Sequence, residues 1–374
     1  MPAMTSGLQV FLTESRNRLP LDRVQWNTLA AQNPTHTAFQ TFEWFDAWWS
    51  AFGARHRLFL LTVHQGQEVI GIAPLMQIRG RMGLREIEFV GSPNSDYQDL
   101  ILGTRRAEAV AAICAYLYGA RNRWNMLVLR NLPAESPSVG ELIREFGRLG
   151  LGAMDMERQP CPALLVGGRE SEIQQLLNRY SVRRGVRRLE SRGPLSFRVF
   201  DSGADVDRWL PEFFDQHIQR WKNTGSPSPF ADEAFRDWYR ILAHAALAAG
   251  WLHFSLLECG GRPAAFHFGF NHGGVLYWYK PSFSPEFARQ SPGTALISNL
   301  IKDARDRGLK ELDFAAGQEP FKDRFSNLRR ECLNLRVFSA PLLHAAFMAG
   351  GHLRQVARNW WHRARGRKVG IDAS

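Results

Sequence analysis

Residues 252–280 have the sequence LHFSLLECGGRPAAFHFGFNHGGVLYWYK, in which two Gly-Gly turns separate three apolar and aromatic runs. Such runs, bounded by short glycine turns, predict antiparallel strands. The predicted strands are 252–258, 264–270 and 275–280. Helical periodicity before and after them indicates helices at 233–249 and 294–307, and a further strand follows at 311–315. This order predicts an α/β (α+β) fold with a mixed, mostly antiparallel sheet flanked by helices.

The first half of the chain shows the same order of elements. Three strand patterns, a helix and a further strand follow one another there. They are predicted at 58–63, 69–76, 84–90, 105–121 and 126–129. Residues 67–73 occupy the same place in the order of elements of the first half as residues 262–268 do in the second half. This correspondence indicates a duplicated unit.

The length of 374 residues suits two domains of ordinary size, since domains cluster around ~100–150 residues. The predicted division is an N-terminal domain (1–170), an arginine-rich connecting helix (171–193), a C-terminal domain (194–340) and a basic amphipathic tail (341–374). With 45% hydrophobic and 22% charged residues, the composition is that of a folded protein and excludes disordered, collagen-like and coiled-coil chains. The net charge of +11 favours anionic partners.

Several classes of protein are disfavoured by absent patterns. The first twenty residues show no secretory signal, and no run approaches the ~18–20 apolar residues of a membrane span, so we expect a cytoplasmic protein. The four cysteines have no paired spacing, which favours buried thiols over a disulfide framework. No metal-ligand motif occurs, and we therefore expect no metal.

A short loop precedes the helix predicted at 294–307. The first turn of a helix offers unpaired N–H groups and the positive end of the helix dipole, to which phosphates bind. Small residues there let a pyrophosphate come close. The predicted phosphate-binding residues are Gln290, Ser291, Gly293, Thr294 and Ala295. An ordinary turn and cap has the same pattern and is the alternative.

This loop, between a hairpin and a helix, resembles the acyl-coenzyme A pyrophosphate loop of GNAT-type N-acyltransferases. More narrowly, the runs 265–270, 276–283, 291–293 and 312–322 are similar to the CelD-like acyltransferases of bacterial cellulose and exopolysaccharide synthesis. Those proteins are related to FemAB-type transferases and carry two GNAT-like halves. The resemblance, which extends over residues 39–338, implies acetyl-CoA or another acyl-CoA as co-substrate. Because the first half lacks the Gln-x-x-Gly-x-Ala loop, one cofactor site is expected.

Acyl transfer from a thioester to an amine needs a base, donors to the oxyanion and a proton for the leaving thiolate. His267 shares a strand face with small residues and is a candidate base if that face lines a cleft; a core histidine is the alternative. Tyr279 is a candidate acid, with packing among its aromatic neighbours as the alternative. Glu319, just past a predicted strand end, is a candidate proton acceptor or amine ligand, with Lys322 as its ion-pair partner.

A polar loop at 92–99 carries a second group of candidates. Asp96, Tyr97 and Asp99 suit hydrogen bonds to the hydroxyls or amine of an acceptor, and Lys322 joins them as a candidate substrate contact. Asx-type turn chemistry in the loop is the competing explanation.

Two basic segments account for much of the positive charge. In 178–193, helical spacing places Arg184, Arg187 and Arg188 along one face, which suits the phosphates of a cofactor or an RNA, or an ordinary solvated surface. In the tail, tryptophans alternate with arginines; such a helix binds an anionic membrane surface or packs on its own domain. Under the membrane-binding alternative, the tail would place the protein peripherally at the inner face of the membrane.

These observations predict an acyl-CoA-dependent N-acyltransferase that acts on a small-molecule or glycan-precursor acceptor in polysaccharide or cell-envelope synthesis. The first alternative is a FemAB-like aminoacyl or peptidyl transferase that uses charged tRNA, the only nucleic acid expected as a partner. The second is a non-catalytic binding protein of an envelope assembly.

Overall fold

The computed structural model describes residues 7–80, 83–151, 154–222, 225 and 227–349. The helices are α1 (Arg23–Ala30), α2 (Phe42–Phe52), α3 (Arg106–Gly119), α4 (Pro137–Arg148), α5 (Glu170–Asn178), α6 (Tyr180–Glu190), α7 (Gly203–Trp221), α8 (Glu233–Ala248), α9 (Pro292–Asp306) and α10 (Lys322–Phe325). The strands are β1 (Leu8–Thr13), β2 (Arg57–Leu58), β3 (Leu60–Gln65), β4 (Glu68–Ala73), β5 (Leu75–Arg79), β6 (Arg85–Phe89), β7 (Ile101–Leu102), β8 (Met126–Pro133), β9 (Met154–Leu165), β10 (Leu195–Phe200), β11 (Leu252–Cys259), β12 (Arg262–His272), β13 (Val275–Phe283), β14 (Glu311–Asp313) and β15 (Leu328–Phe338).

The strands form one large sheet and one small sheet. The large sheet has eleven strands in the order β10-β11-β12-β13-β14-β9-β15-β8-β6-β5-β2, and the small one has the order β1-β3-β4-β7. Neighbours are antiparallel except for two parallel pairs, β13 with β14 and β6 with β8. The predicted mixed, mostly antiparallel α/β fold is confirmed.

Each parallel pair is joined by a helix, α3 in the first half and α9 in the second. A parallel pair requires such a crossover because its strands run in the same direction. The two halves differ in the strand before the pair. In the second half β12 is continuous, whereas its counterpart in the first half is split at Pro74 into β4 and β5, which lie in different sheets.

The halves exchange strands at the centre of the large sheet. β9, from the first half of the chain, pairs with β14 of the second, and β15, near the end, pairs with β8 of the first. β9 and β15 then pair with each other from Ala163–Leu328 to Met154–Val337. One sheet therefore runs through both predicted domains, and the boundaries at 170 and 194 remain divisions of the sequence.

Two predicted elements differ from the observed ones. The strands expected at 153–157 and 163–166 belong to the single strand β9, which contains Pro160 and Pro162. Proline is tolerated there because β14 pairs with β9 only at residues 163–165, so one edge of β9 is free of a strand partner at both prolines. The connecting helix expected at 171–193 is two helices, α5 and α6, because Arg179 has extended backbone angles (φ −53°, ψ 135°) that end α5.

Helices cover both faces of the second half. On one face, α2, α7 and α8 pack aromatic side chains against β12 and β13. On the other, α5, α6 and α9 pack aliphatic side chains against the same strands and β14. The strands of the β13–β14 pair are therefore held from two sides, and their ends lie at the middle of the molecule.

All four cysteines are buried thiols, as expected. No helix among the described residues has the length and apolar character needed to cross a bilayer. Residues 341–349 are helical, and Phe347 packs on Phe338 with ring centroids 5.3 Å apart. Residues 350–374, which hold the tryptophans and all the arginines of the predicted tail, lie outside the described residues.

Candidate functional site

A gap opens between β13 and β14 at the centre of the sheet. The two strands pair only from Val275–Glu311 to Tyr277–Asp313, although β13 continues to Phe283. Trp278 and Tyr279 both stand opposite Gly269 of β12, which is a β-bulge. Beyond Tyr277, the edge of β13 that faces the gap has no strand partner among the described residues. An unpaired strand edge can bind an extended ligand, and one backbone group of this stretch, Pro281 O, accepts a hydrogen bond from Arg220.

A pocket of about 280 Å³ lies at the mouth of this gap. Its lining is Arg220, Trp278, Pro281, Ser282, Phe283, Ala288, Ser291, Pro292, Gly293, Thr294, Leu296, Ile297, Phe321, Arg324 and Phe325; we call it the α9 pocket. Arg220 is fixed on its wall, since its guanidinium donates to Pro281 O at 3.1 Å and lies 4.1 Å from the Phe283 ring centre. Burial lowers the pKa of Arg220 to about 10, so it stays charged at neutral pH. The pocket is mainly apolar, with cations at its rim.

The predicted phosphate-binding loop forms the start of α9 at this pocket. Ser291 is the N-cap in the left-handed conformation (φ 57°, ψ 48°), and Pro292 occupies the first helical position. The amides of Thr294 and Ala295 donate to Ser291 O, and the Gly293 amide in the same turn has no hydrogen-bond partner among the described residues. A Cβ at Gly293 would have no neighbour within 4 Å, so the space over it is open.

The five predicted loop residues divide into two groups. Ser291, Gly293 and Thr294 line the pocket, as a phosphate site requires. The side chain of Ala295 is fully buried in the core under α9, and Gln290 is not part of the lining. The small size of Ala295 therefore serves helix packing.

The corresponding gap in the first half is filled by the chain itself. β6 pairs with β8 only as far as Glu88–Val128, and the 92–99 loop occupies the space beyond. The Gln98 amide donates to Asn131 O at 3.0 Å, and Asn131 Nδ2 donates to Ser95 O at 2.7 Å. In the described part of the first half, the space beside the parallel pair is thus closed by the 92–99 loop.

The filling loop carries Asp96 to the end of the β13–β14 gap. There the carboxyl lies among the ammonium groups of Lys280 and Lys322 and the carboxylate of Glu319, whose charges all act on it. Burial is the main cause that raises the pKa of Asp96 to about 6, against the pull of the two lysines. No hydrogen bond or ion pair holds this carboxylate among the described residues. It is a free group that can gain and lose a proton near neutral pH.

Tyr279 and Tyr97 fix the loop that holds Asp96. The Tyr279 hydroxyl donates to Asn94 O at 2.8 Å, and burial raises its pKa well above the ordinary value. The Tyr97 hydroxyl lies 2.9 Å from both carboxylate oxygens of Asp313 at the end of β14. Burial raises the pKa of Asp313 to about 7, with the Ala315 amide and Tyr97 opposing. The two tyrosines join the first half to both strands that border the gap.

Glu319 and Lys322 form the predicted ion pair, with Oε2 and Nζ 2.8 Å apart. Lys322 is buried and also donates to Ala315 O at 3.3 Å and Ala316 O at 3.0 Å. Gly317 has φ 129°, and a Cβ on it would lie 2.5 Å from Glu319 Oε2. Lys322 therefore holds the loop after β14 in place, while the exposed Glu319 faces the same region as Asp96.

His267 does not face the gap, which corrects the expectation for its strand face. It is fully buried between β12 and α9, where its ring stacks on Trp278 and Nε2 donates to Tyr277 O at 3.2 Å. Burial, with the nearby His253, lowers its pKa well below the ordinary value. A neutral core histidine without access to a ligand is not a base for acyl transfer.

Asp99 also lies apart from the gap. Its carboxylate accepts hydrogen bonds from Thr35 Oγ1 at 2.9 Å, the Leu100 amide at 2.8 Å and Ser136 Oγ. It is fully buried, so these donors replace the water that an ionised carboxylate requires. Asp99 is therefore a structural residue of the loop, in line with the turn-chemistry explanation and not with acceptor binding.

Sequence reasoning missed Lys280, and for Arg220, on a helix predicted at 206–221, it ranked contact with a cofactor phosphate below plain packing and surface solvation. Lys280 follows the Tyr-Trp-Tyr run of a buried strand, and a lone lysine in such a strand is a signal for a paired or functional cation. Arg220 is three residues from His217 on α7, and only the tertiary structure brings it to the α9 pocket. Among the described residues, no three His, Cys, Asp or Glu side chains converge as they would around a metal ion.

Comparison with known proteins gives a family match for one part of the chain. Residues 178–323 match the family model of the acetyltransferase (GNAT) domain. A search of curated proteins found no match. The matched segment includes the β13–β14 gap, the start of α9 and most of the residues that line the α9 pocket.

Solved structures share the fold over most of the chain. FemX is 11% identical, with 86% of this chain and 97% of FemX aligned at a TM-score of 0.60. A conserved protein of unknown function from Bacteroides thetaiotaomicron is 11% identical over 88% of this chain and 100% of its own, with a TM-score of 0.56. The C-terminal domain of a protein named as a lysylphosphatidylglycerol synthetase, from Agrobacterium fabrum, is 12% identical over 88% and 95%, with a TM-score of 0.54. Within this shared mixed α/β fold, residues 178–323 are thus similar to an acetyltransferase domain of the GNAT type.

Proposed function

We propose that the protein transfers an acyl group from acyl-CoA to an amine or amino-sugar acceptor. The observation that supports this most is the open gap between β13 and β14, with the unpaired Gly293 amide at its mouth. A helix start binds phosphate, and a free strand edge binds an extended chain of amides, which are the two parts of a coenzyme A molecule. The GNAT match over the same residues agrees with this use.

Asp96 is the proposed general base. With a pKa near 6, its carboxylate is ionised at neutral pH and can accept the proton of an acceptor ammonium or amine. The amine nitrogen then attacks the thioester carbonyl carbon, the C–S bond breaks, and the thiolate leaves and is protonated. The rim cations Arg220 and Arg324 compensate the phosphate charges, and Lys280 keeps the Asp96 carboxylate charged.

Glu319 is proposed to bind the acceptor. Its carboxylate is exposed beside Asp96, where it can accept hydrogen bonds from an amine or from sugar hydroxyls. Tyr279 and Lys322 act by holding the two loops in position. The polysaccharide or cell-envelope setting rests on the CelD-like resemblance of the sequence, and contact of residues 350–374 with a membrane remains a prediction.

Calorimetric titration with coenzyme A and acetyl-CoA tests the cofactor. We expect binding in the micromolar range, and absence of binding at millimolar cofactor would refute the assignment. Release of thiol from acetyl-CoA, followed with a thiol-reactive dye across a panel of amines and amino sugars, then identifies the acceptor class.

Charged tRNA is the alternative donor, favoured by one observation. The exposed Arg183, Arg184, Arg187 and Arg188 of α6 have no carboxylate partner among the described residues. A tRNA-dependent enzyme would bind tRNA with a steep salt dependence and would bind no coenzyme A. The same titrations, repeated with tRNA at two salt concentrations, separate the two donors.

A further inference from the structure

We propose that the groove between α6 and α9 docks an acidic helix of a carrier protein, which delivers the acyl thioester on a phosphopantetheine arm. This inference rests on the proposed function, because it concerns the source of the same thioester. It assigns a partner to a surface outside the α9 pocket.

The groove has a volume of about 420 Å³ and lies among α5, α6 and α9. Leu177, Val182 and Val186 contribute aliphatic side chains to its lining. Its charged lining residues are Arg183, Arg187, Lys302, Arg305 and Glu190. The groove thus combines an aliphatic surface with four cations and one carboxylate.

The cations of this groove are mostly uncompensated. Arg183, Arg187 and Lys302 have no carboxylate partner among the described residues, and Arg305 pairs with its neighbour Asp306. Many surface arginines outside the groove have such partners; on α8, for example, Arg240 pairs with Glu233 and Asp237. Unpaired like charges on facing helices repel one another, so the groove is stabilised by an anionic occupant.

The shape and the aliphatic lining favour a protein helix over RNA or a membrane. Single-stranded RNA is bound by aromatic rings on which bases stack, and none lines this groove. A bilayer is bound by a flat or protruding surface, whereas this site is concave. An amphipathic helix with an apolar stripe and acidic flanks fits the aliphatic residues and the cations together.

A second, smaller cavity shares lining residues with both the groove and the α9 pocket. It has a volume of about 100 Å³ and is lined by Arg179, Ser181, Val182, Thr294, Arg324 and Phe325. Val182 also lines the groove, and Thr294, Arg324 and Phe325 also line the α9 pocket. Two guanidinium groups and two hydroxyls suit the single phosphodiester of a phosphopantetheine arm.

α6 and α9 are in close contact beside this smaller cavity. Gly185 of α6 faces Thr294, and a Cβ on it would lie 2.8 Å from Thr294 Cγ2. The docking helix and the start of α9 are thereby held side by side. The chemistry is unchanged from that with acyl-CoA: the acceptor nitrogen forms the amide bond, the C–S bond breaks, and the carrier leaves as a free thiol after protonation.

The test compares two donors, acetyl-CoA and a purified type II acyl carrier protein bearing an acetylated arm. Wild-type protein should use both. The double charge reversal Arg183→Glu with Arg187→Glu should raise KM for the acetylated carrier at least tenfold and change KM for acetyl-CoA less than twofold. Arg184→Glu, on the same helix but outside the groove, is the matched control and should change KM for the carrier less than threefold.

Turnover of acetyl-CoA without turnover of the acetylated carrier would overturn the inference and leave the proposed function intact. Failure with both donors would count against the proposed function itself. Binding of tRNA, or of vesicles that contain phosphatidylglycerol, that is lost in the double variant while use of the carrier is unchanged would also overturn the inference.

Discussion

Replacement of Asp96 by Asn should lower activity and raise stability at once. The side chain keeps its shape, but the proposed base is lost, and removal of a general base typically costs ~10²–10⁴-fold in rate. The carboxylate is partly buried and has no hydrogen-bond partner among the described residues, so its ionised form destabilises the folded state. A neutral amide removes this destabilisation, so the same substitution is expected to lower activity and to raise stability.

The size of the stability effect follows from the pKa. A shift from 3.8 to about 6 disfavours the ionised carboxyl by ~3 kcal/mol, and because Asp96 is partly exposed we expect ~1–3 kcal/mol. The folded state binds the proton of Asp96 more tightly than the unfolded state does. The protonated carboxyl therefore stabilises the fold fully below pH 4, and this stabilisation is lost as the pH rises through 6. The variant should therefore be more stable than wild type at both pH 5 and pH 8. The difference in free energy of unfolding at pH 8 should be about twice the difference at pH 5.

Urea denaturation at pH 5 and pH 8 measures the free energy of unfolding, and thiol release from acetyl-CoA between pH 5 and 8 measures activity. In wild type, kcat/KM should rise through pH 6 to a plateau, and the rise should be absent in Asp96→Asn. Asp99→Asn is the matched control from the same loop. It weakens a satisfied hydrogen-bond network and should lower stability by ~1–3 kcal/mol. A fall in stability for Asp96→Asn, or an unchanged pH profile, would refute the assignment.

Two glycines give further tests. Gly293→Val places a larger side chain over the open first turn of α9, and we expect the Kd for coenzyme A, measured by calorimetry, to rise at least tenfold. The unfolding midpoint should not change, because a Cβ there has no neighbour within 4 Å. Unchanged affinity would contradict the phosphate site. Gly185→Ala forces a clash with α9 and should cost ~1–3 kcal/mol in urea denaturation. Gly140→Ala, in α4 with open space around it, should instead stabilise by ~0.5–1 kcal/mol, and equal effects of the two alanines would contradict the close packing of α6 on α9.

Local sequence patterns predicted the elements of the fold well, because glycine turns and helical periodicity are local signals. The strands around residues 252–280 and the helix after Gly293 are observed close to their predicted bounds. The strand exchange was not predicted, since β9 shows no period that distinguishes a partner 170 residues away from a neighbour. Pairing at that distance depends on the whole sheet.

For the candidate site too, local sequence patterns predicted some features, whereas others depend on the tertiary structure. Asp96, Tyr97, Glu319 and Lys322, which were selected by residue type, lie near one another at the end of the β13–β14 gap, and their roles stay predictions. His267 was misplaced because period-two alternation identifies the residues that share a strand face, but not whether that face meets a cleft or a helix.

The exchange of β9 and β15 has a consequence for biosynthesis. β8 acquires its neighbour β15 only after about 200 further residues have been made, as the contact between Asn131 and Asn334 shows. During translation, the edge of β8 and the apolar surface beneath it therefore stay uncovered until nearly the whole chain has emerged from the ribosome. Sheets that wait for distant strands fold slowly and expose edges that aggregate. We therefore expect the N-terminal half to need chaperones during synthesis and not to fold when it is produced alone.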